Sequence, residues 1–325
     1  MKQTQHEGVA NQTPVSGFFR KNSRYLAKLI PFLGLIAVFT FFALATGGRS
    51  VSMYNLRLVL LQAVIIMTGG IGLTFVISHG SMDLSLGGVL SLSAVFGALA
   101  GEYSPALTIP VCILTGVVFG FLTAGMHVLL RIPAILISFT VMFFGRGLAG
   151  TIVAKKSIRL PFVFYSLDTP LFYFAVFAVL FILAYIVFEY TKIGKYNRAI
   201  GSNITAAVMS GIKVGRYKIF AFLISGTLIG ICGFLSLLRT GGVTSAASGF
   251  EFDVMISLVL GGISLTGGTS VKLRSVIIGG LILSMMGNGL VLLSVESAYV
   301  QAIKGLIFLA TVAISYQRKR GEIIS

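Results

Sequence analysis

The run LVLLQAVIIMTGGIGLTFVI, Leu58–Ile77, carries no charged side chain over twenty consecutive residues. At about 1.5 Å of rise per residue such a run makes a helix roughly 30 Å long, the thickness of a bilayer's hydrocarbon core. Only a helix satisfies its own backbone hydrogen bonds over that distance without water, so the run predicts a membrane span. The rest of the chain repeats the pattern. Hydrophobic residues make up 56% of the 325 positions and charged residues 10%, and the 39 glycines show no collagen-like period.

Working outward from this run, apolar stretches at Ile30–Thr46, Ser85–Ala100, Ala106–Leu130, Ala134–Val153, Leu171–Phe188, Ile219–Leu238, Val254–Leu265, Val276–Leu293 and Ala302–Tyr316 complete a set of about ten. The expected fold is therefore an all-α membrane protein of about ten transmembrane helices. The eighth stretch, Val254–Leu265, is too short for a simple crossing and is followed by Gly267 and Gly268, which predicts a broken or re-entrant element. Residues 1–28 are expected to be a cytoplasmic tail with no cleavable signal, 29–317 the membrane domain, and 318–325 a second cytoplasmic tail.

Charge sets the orientation. With the amino terminus inside, about seventeen Lys and Arg fall on the cytoplasmic side against about seven outside, and Arg146 stays within a span. This predicts an N-in, C-in protein. The net charge of +16 does not point to nucleic acid, because the basic residues punctuate apolar runs instead of covering a soluble surface. Cys112 and Cys232 lie deep in apolar runs and read as small packing residues.

The ionisable inventory limits the chemistry. Glu102, Glu189, Glu251, Asp253 and Glu296 fall at the ends of the expected spans, and only Asp83, His79, His127 and Arg146 come near the interior. There is no HExxH pair, no Ser/His/Asp set and no GxxxxGK[ST] loop, so no catalytic residue, metal or cofactor is expected. A transporter driven from elsewhere and a passive or ion-coupled carrier both remain open. The second requires an acid at the membrane centre.

One internal segment breaks the apolar pattern: GSNITAAVMSGIKVGRYK, Gly201–Lys218, polar, basic and rich in Ala and Gly. Its Gly201, Asn203, Ala206, Ala207, Ser210, Gly211, Ile212 and Val214 resemble the G-x-N-x-x-A-A-x-x-S-G-I-x-V pattern of the membrane-spanning permease subunits of bacterial ABC importers for simple sugars of the ribose, xylose and galactose type. Val259–Gly268 (VLGGISLTGG), Asp83-Leu84-Ser85 with Gly87, Arg146-Gly147, Asn288-Gly289-Leu290, and Gln301 with Lys304-Gly305 match further elements in the same order. The resemblance covers most of the chain.

That resemblance implies a non-enzymatic subunit that moves a monosaccharide, or alternatively a nucleoside or branched-chain amino acid, while separate ATPase subunits hydrolyse ATP. It implies an extracytoplasmic sugar-binding protein and a second permease copy or homologous sister as partners, and a bacterial inner membrane as location. The loop 189–218 becomes the coupling segment, with Gly201, Asn203, Ala206, Ala207, Ser210 and Gly211 at the ATPase contact. Asn203 is placed to cap a short helix, whose small residues allow close approach. Asp83 is expected to cap the third helix, with Ser85 in its first turn, or to line the sugar path. Spans two to five and seven to ten are expected to form an inverted repeat around a sixth connecting helix.

Overall fold

The computed structural model describes residues 14–243 and 249–315. Among these are twelve α-helices: α1 Pro14–Ala45, α2 Met53–Ser78, α3 Leu86–Tyr103, α4 Thr108–Leu129, α5 Ala134–Lys155, α6 Pro170–Tyr190, α7 Lys192–Ser202, α8 Ile204–Met209, α9 Val214–Thr240, α10 Phe250–Leu260, α11 Ser275–Leu292 and α12 Ser297–Ser315. Two strands of two residues, β1 Ile158–Arg159 and β2 Gly242–Val243, pair antiparallel with Ile158 opposite Val243. Seven helices are long and apolar enough to cross a membrane, and α1 and α12 contain shorter apolar segments. The protein is an all-α membrane protein. Each of the ten apolar stretches overlaps a helix, but α10 is only eleven residues long and ends in the Gly261-Gly262 turn, so residues 263–265 of the eighth stretch lie beyond it. α1 begins at Pro14, inside the segment 1–28 expected to be tail. The 318–325 tail lies outside the described residues.

Local sequence sets the helix ends. Ser52 accepts the Asn55 amide to cap α2, and Thr169 accepts the Phe172 amide to cap α6, whose first residue is Pro170. Burial then sorts the helices: 89% of the apolar window of α2 and 72% of those of α3 and α9 are inside the bundle, against 22% for α6. α2, α3 and α9 therefore form the centre, and α6 faces outward with the mostly apolar surface a lipid environment requires.

A glycine seam lets α4 pack closely on α9. Gly116 and Gly120 of α4 face Gly226 and Gly230 of α9; a Cβ on Gly120 would lie 2.7 Å from the Phe222 carbonyl oxygen, and one on Gly230 2.6 Å from that of Cys112. These are two facing small-xxx-small spacings, which allow backbone-to-backbone packing where hydrophobicity offers no drive between helices. Across the same junction Ser93 Oγ lies 2.9 Å from Cys112 O and 3.0 Å from Gly230 O. Both cysteines are free and buried.

The packing pattern has an internal correspondence. α4 packs on α9 as α11 does on α2; α3 packs on α4, α5 and α9 as α10 does on α11, α12 and α2; α2 packs on α9 and α3 on α10. Exchanging α2–α5 for α9–α12 therefore maps these helix pairs onto one another, with α2–α9 and α3–α10 mapping onto themselves.

Candidate functional site

Two regions carry polar chemistry. The first is the α7–α8 elbow. Thr191 caps α7 by accepting the Ile193 amide, and Gly194, Asn197 and Ile200, three residues apart, are its buried face. Arg198 anchors α7 to the end of α6, donating to Glu189 Oε2 at 2.9 Å and to Phe188 O at 3.3 Å, with its guanidinium 4.8 Å from the centre of the Phe188 ring. At the other end of α7, Gly201 packs against the Ser78 carbonyl, where a side chain would collide, and Ser202 Oγ accepts the Thr269 amide at 3.1 Å. The loop after α10 thereby meets α2 and α7.

Asn203 caps α8, its Oδ1 accepting the Ala206 amide at 3.0 Å as expected from sequence. Gly211, at φ +76°, ends the helix: its amide donates to Val208 O and that of Ile212 to Ala207 O, the paired bonds of a Schellman stop. Of the six residues read from sequence, Asn203, Ala206, Ser210 and Gly211 are exposed, Gly201 is partly buried and Ala207 is buried. Beside them Ile204, Val208 and Met209 are 49%, 57% and 84% exposed. Hydropathy alone did not single these three out; their position on a short helix capped at both ends does.

The second region is the start of α3 and α10. Asp83 Oδ1 accepts both the Ser85 amide at 2.9 Å and the Ser85 hydroxyl at 2.6 Å. Ser85 itself occupies the N-cap position and α3 starts at Leu86, so Asp83 orders the turn before the helix and is not its cap. Asp83, Ser85, Ser225 and Gly226 line a narrow cleft between α3, α4 and α9. His79 ends α2, buried, with its ring centre 5.9 Å from that of Phe222. His127 also lies beside Phe222, and its Nε2 is 3.1 Å from Lys218 Nζ and its Nδ1 2.7 Å from Ile132 O. A charged Lys218 donates to Nε2, which leaves the proton on Nδ1 to donate to Ile132.

At α10 the sequence reading needs correction. Glu251 and Asp253 sit in the first turn of α10, but that helix end is not at the edge of the bundle. α10 begins at the depth of Gly69, sixteen residues into α2, where an added Cβ would lie 3.1 Å from both Phe250 and Val254. Both acids are paired there. Arg146 Nη2 on α5 donates to the two Glu251 carboxylate oxygens at 2.6 and 2.8 Å, and Lys304 Nζ on α12 donates to the two oxygens of Asp253 at 2.8 and 2.9 Å. Lys304 is 6% exposed. Arg146 faces the bundle, as the cost of a charge in hydrocarbon demands.

This architecture, a tightly packed helical bundle with a capped, exposed elbow at one end, is that of a multi-helix membrane permease. The family described as branched-chain amino acid transport system / permease component matches residues 55–312, and the chain belongs to it. Among its relatives, the ribose import permease protein of Bacillus subtilis (strain 168) is 30% identical over 91% of this chain and 94% of its own length. The ribose import permease protein of Escherichia coli (strain K12) is 27% identical over 91% and 97%, and the xylose transport system permease protein of Haemophilus influenzae is 27% identical over 93% and 99%. No solved structure matches.

Proposed function

We propose that this chain is the membrane-spanning subunit of an ABC importer that carries a monosaccharide across a bacterial inner membrane. The ribose and xylose permeases among its relatives support the substrate class. The observation that carries the mechanism is the α7–α8 elbow. A six-residue helix stopped at both ends, anchored through Arg198 and Gly201, presents small residues and an exposed apolar strip, which suits insertion into a cleft of a separate ATPase. The segment 189–218 is then the coupling loop, with Gly201, Asn203, Ala206, Ala207, Ser210 and Gly211 at the contact.

The excess of Lys and Arg on the elbow's side supports an N-in, C-in arrangement of ten crossings with that elbow in the cytoplasm. The exchange of α2–α5 for α9–α12 in the packing pattern supports an inverted repeat and alternating access about a central site. An extracytoplasmic binding protein delivers the sugar, and a second copy or a homologous sister completes the pathway.

The test is ATP-dependent sugar uptake by vesicles containing the chain with its ATPase and binding protein. Uptake requires both partners and is lost when Asn203–Gly211 is deleted. Accumulation by the chain alone, or uptake that survives the deletion, refutes the reading. Running the assay with nucleosides and branched-chain amino acids separates those substrates from sugars.

A further inference from the structure

The two ion pairs on α10 lie where charge is costly. Arg146 is twelve residues from the start of α5 and nine from its end, about 18 and 13 Å from the two ends of the helix. Lys304 is seven residues into α12 and eleven from its end, about 10 and 16 Å. At that depth a sealed ion pair is tolerable, but an open one facing hydrocarbon is not. These are not sealed: the side chains of Arg146 and Asp253 are 20% and 15% exposed, while Glu251 is 0% exposed. A polar or water-filled face is the surrounding that avoids this cost.

Phe252 lies between the two acids on α10 and is 43% exposed. At 100° per residue its ring projects between the direction of Glu251, held by α5, and that of Asp253, held by α12. Gln301, exposed on α12, sets its amide beside Gly249 at the start of the same helix, 3.1 Å from where a Cβ would be. The ring thus stands on the helix turn whose neighbouring positions carry the Arg146–Glu251 pair and Asp253, with the Gln301 amide at the start of the same helix.

Resting on the sugar-permease reading above, we propose that this face is where the sugar touches the permease in transit. The Phe252 ring takes the apolar C–H face of the sugar, and Arg146, Asp253 and Gln301 exchange hydrogen bonds with its hydroxyls. A sugar hydroxyl both donates and accepts, so it can use either member of an ion pair without breaking it. Because the charges already satisfy one another, the contact is weak, as a transit site requires. Glu251 and Lys304 act through their partners, positioning them.

The complete transporter, with ATPase and binding protein in membrane vesicles, tests this. Phe252→Cys is expected to react with a charged, membrane-impermeant thiol reagent, and D-ribose or D-xylose, whichever is transported, slows the reaction. Ile182→Cys on the outward helix α6, 57% exposed, stays unreactive. Phe252→Ala raises KM for uptake about tenfold and Phe252→Trp restores it. If Phe252→Cys is as inert as Ile182→Cys, the face is closed by lipid or by a second copy and the proposal falls. Sugar uptake without sugar protection overturns the site alone. No sugar uptake by the unsubstituted transporter overturns the reading on which it rests.

Discussion

Removing the guanidinium from Arg146 while keeping most of its volume, as Arg146→Met does, leaves the Glu251 carboxylate with neither partner nor water. Glu251 is 0% exposed and receives both Arg146 bonds. Breaking a buried pair from one side costs about 3–5 kcal/mol, because the surviving charge is stranded. Glu251→Gln removes the opposite charge but leaves the guanidinium 20% exposed and still able to donate to the amide oxygen, so the loss is smaller, about 1.5–3 kcal/mol. The double variant removes both charges and recovers at least about 2 kcal/mol of the Arg146→Met loss.

The measurement is reversible unfolding in mixed micelles, with the four proteins forming a double-mutant cycle. Two outcomes refute the reasoning. One is a coupling within about 0.5 kcal/mol of zero, the limit for independent sites. The other is Glu251→Gln destabilising more than Arg146→Met, which means the carboxylate is not the sealed partner.

At the elbow, Asn203→Ala removes the cap on the Ala206 amide, worth about 1 kcal/mol locally; sugar uptake falls while ATP hydrolysis by the isolated ATPase is unchanged. Gly226→Val pushes α9 off the Gly116 carbonyl and destabilises the bundle by about 1–3 kcal/mol, read as a lower unfolding midpoint in micelles. Ser210→Cys, on an exposed position, is labelled by impermeant reagents from the cytoplasmic face only; labelling from outside reverses the assigned orientation.

The spans were legible because bilayer physics is local: charge-free runs such as Leu58–Ile77 must be helical whatever surrounds them. The short α10 was legible from its length, and Asn203 from the cap chemistry of its side chain. Glu251 and Asp253 were misplaced because hydropathy places a charged residue at the edge of a span and cannot see a helix that starts at mid-depth. Their partners lie 105 and 51 residues away, and the long-range pairing that makes them tolerable has no local signature. Gly116, Gly120, Gly226 and Gly230 show their spacing in the sequence, but which stripe meets which is decided only by packing.

The starts of α3 and α10 occupy corresponding places in the packing, yet they are held differently. The turn before α3 is closed locally, by Asp83 on Ser85 two residues away. α10 is held from a distance, by Arg146 on α5 in one set of four helices and by Lys304 on α12 in its own. If the two sets rock against each other, Lys304–Asp253 travels with α10 as a unit, and the Arg146–Glu251 pair spans the boundary that must shear. The partial exposure of Arg146 then matters, because a guanidinium with access to water can part from its carboxylate at lower cost than a sealed one. A Lys304→Met/Asp253→Asn cycle should therefore change stability and, through Asp253, the KM for sugar, but leave the rate at saturating sugar unchanged at matched stability. Weakening Arg146–Glu251 should alter uptake beyond its effect on stability, and equal uptake losses at matched stability would argue that α5 and α10 move together.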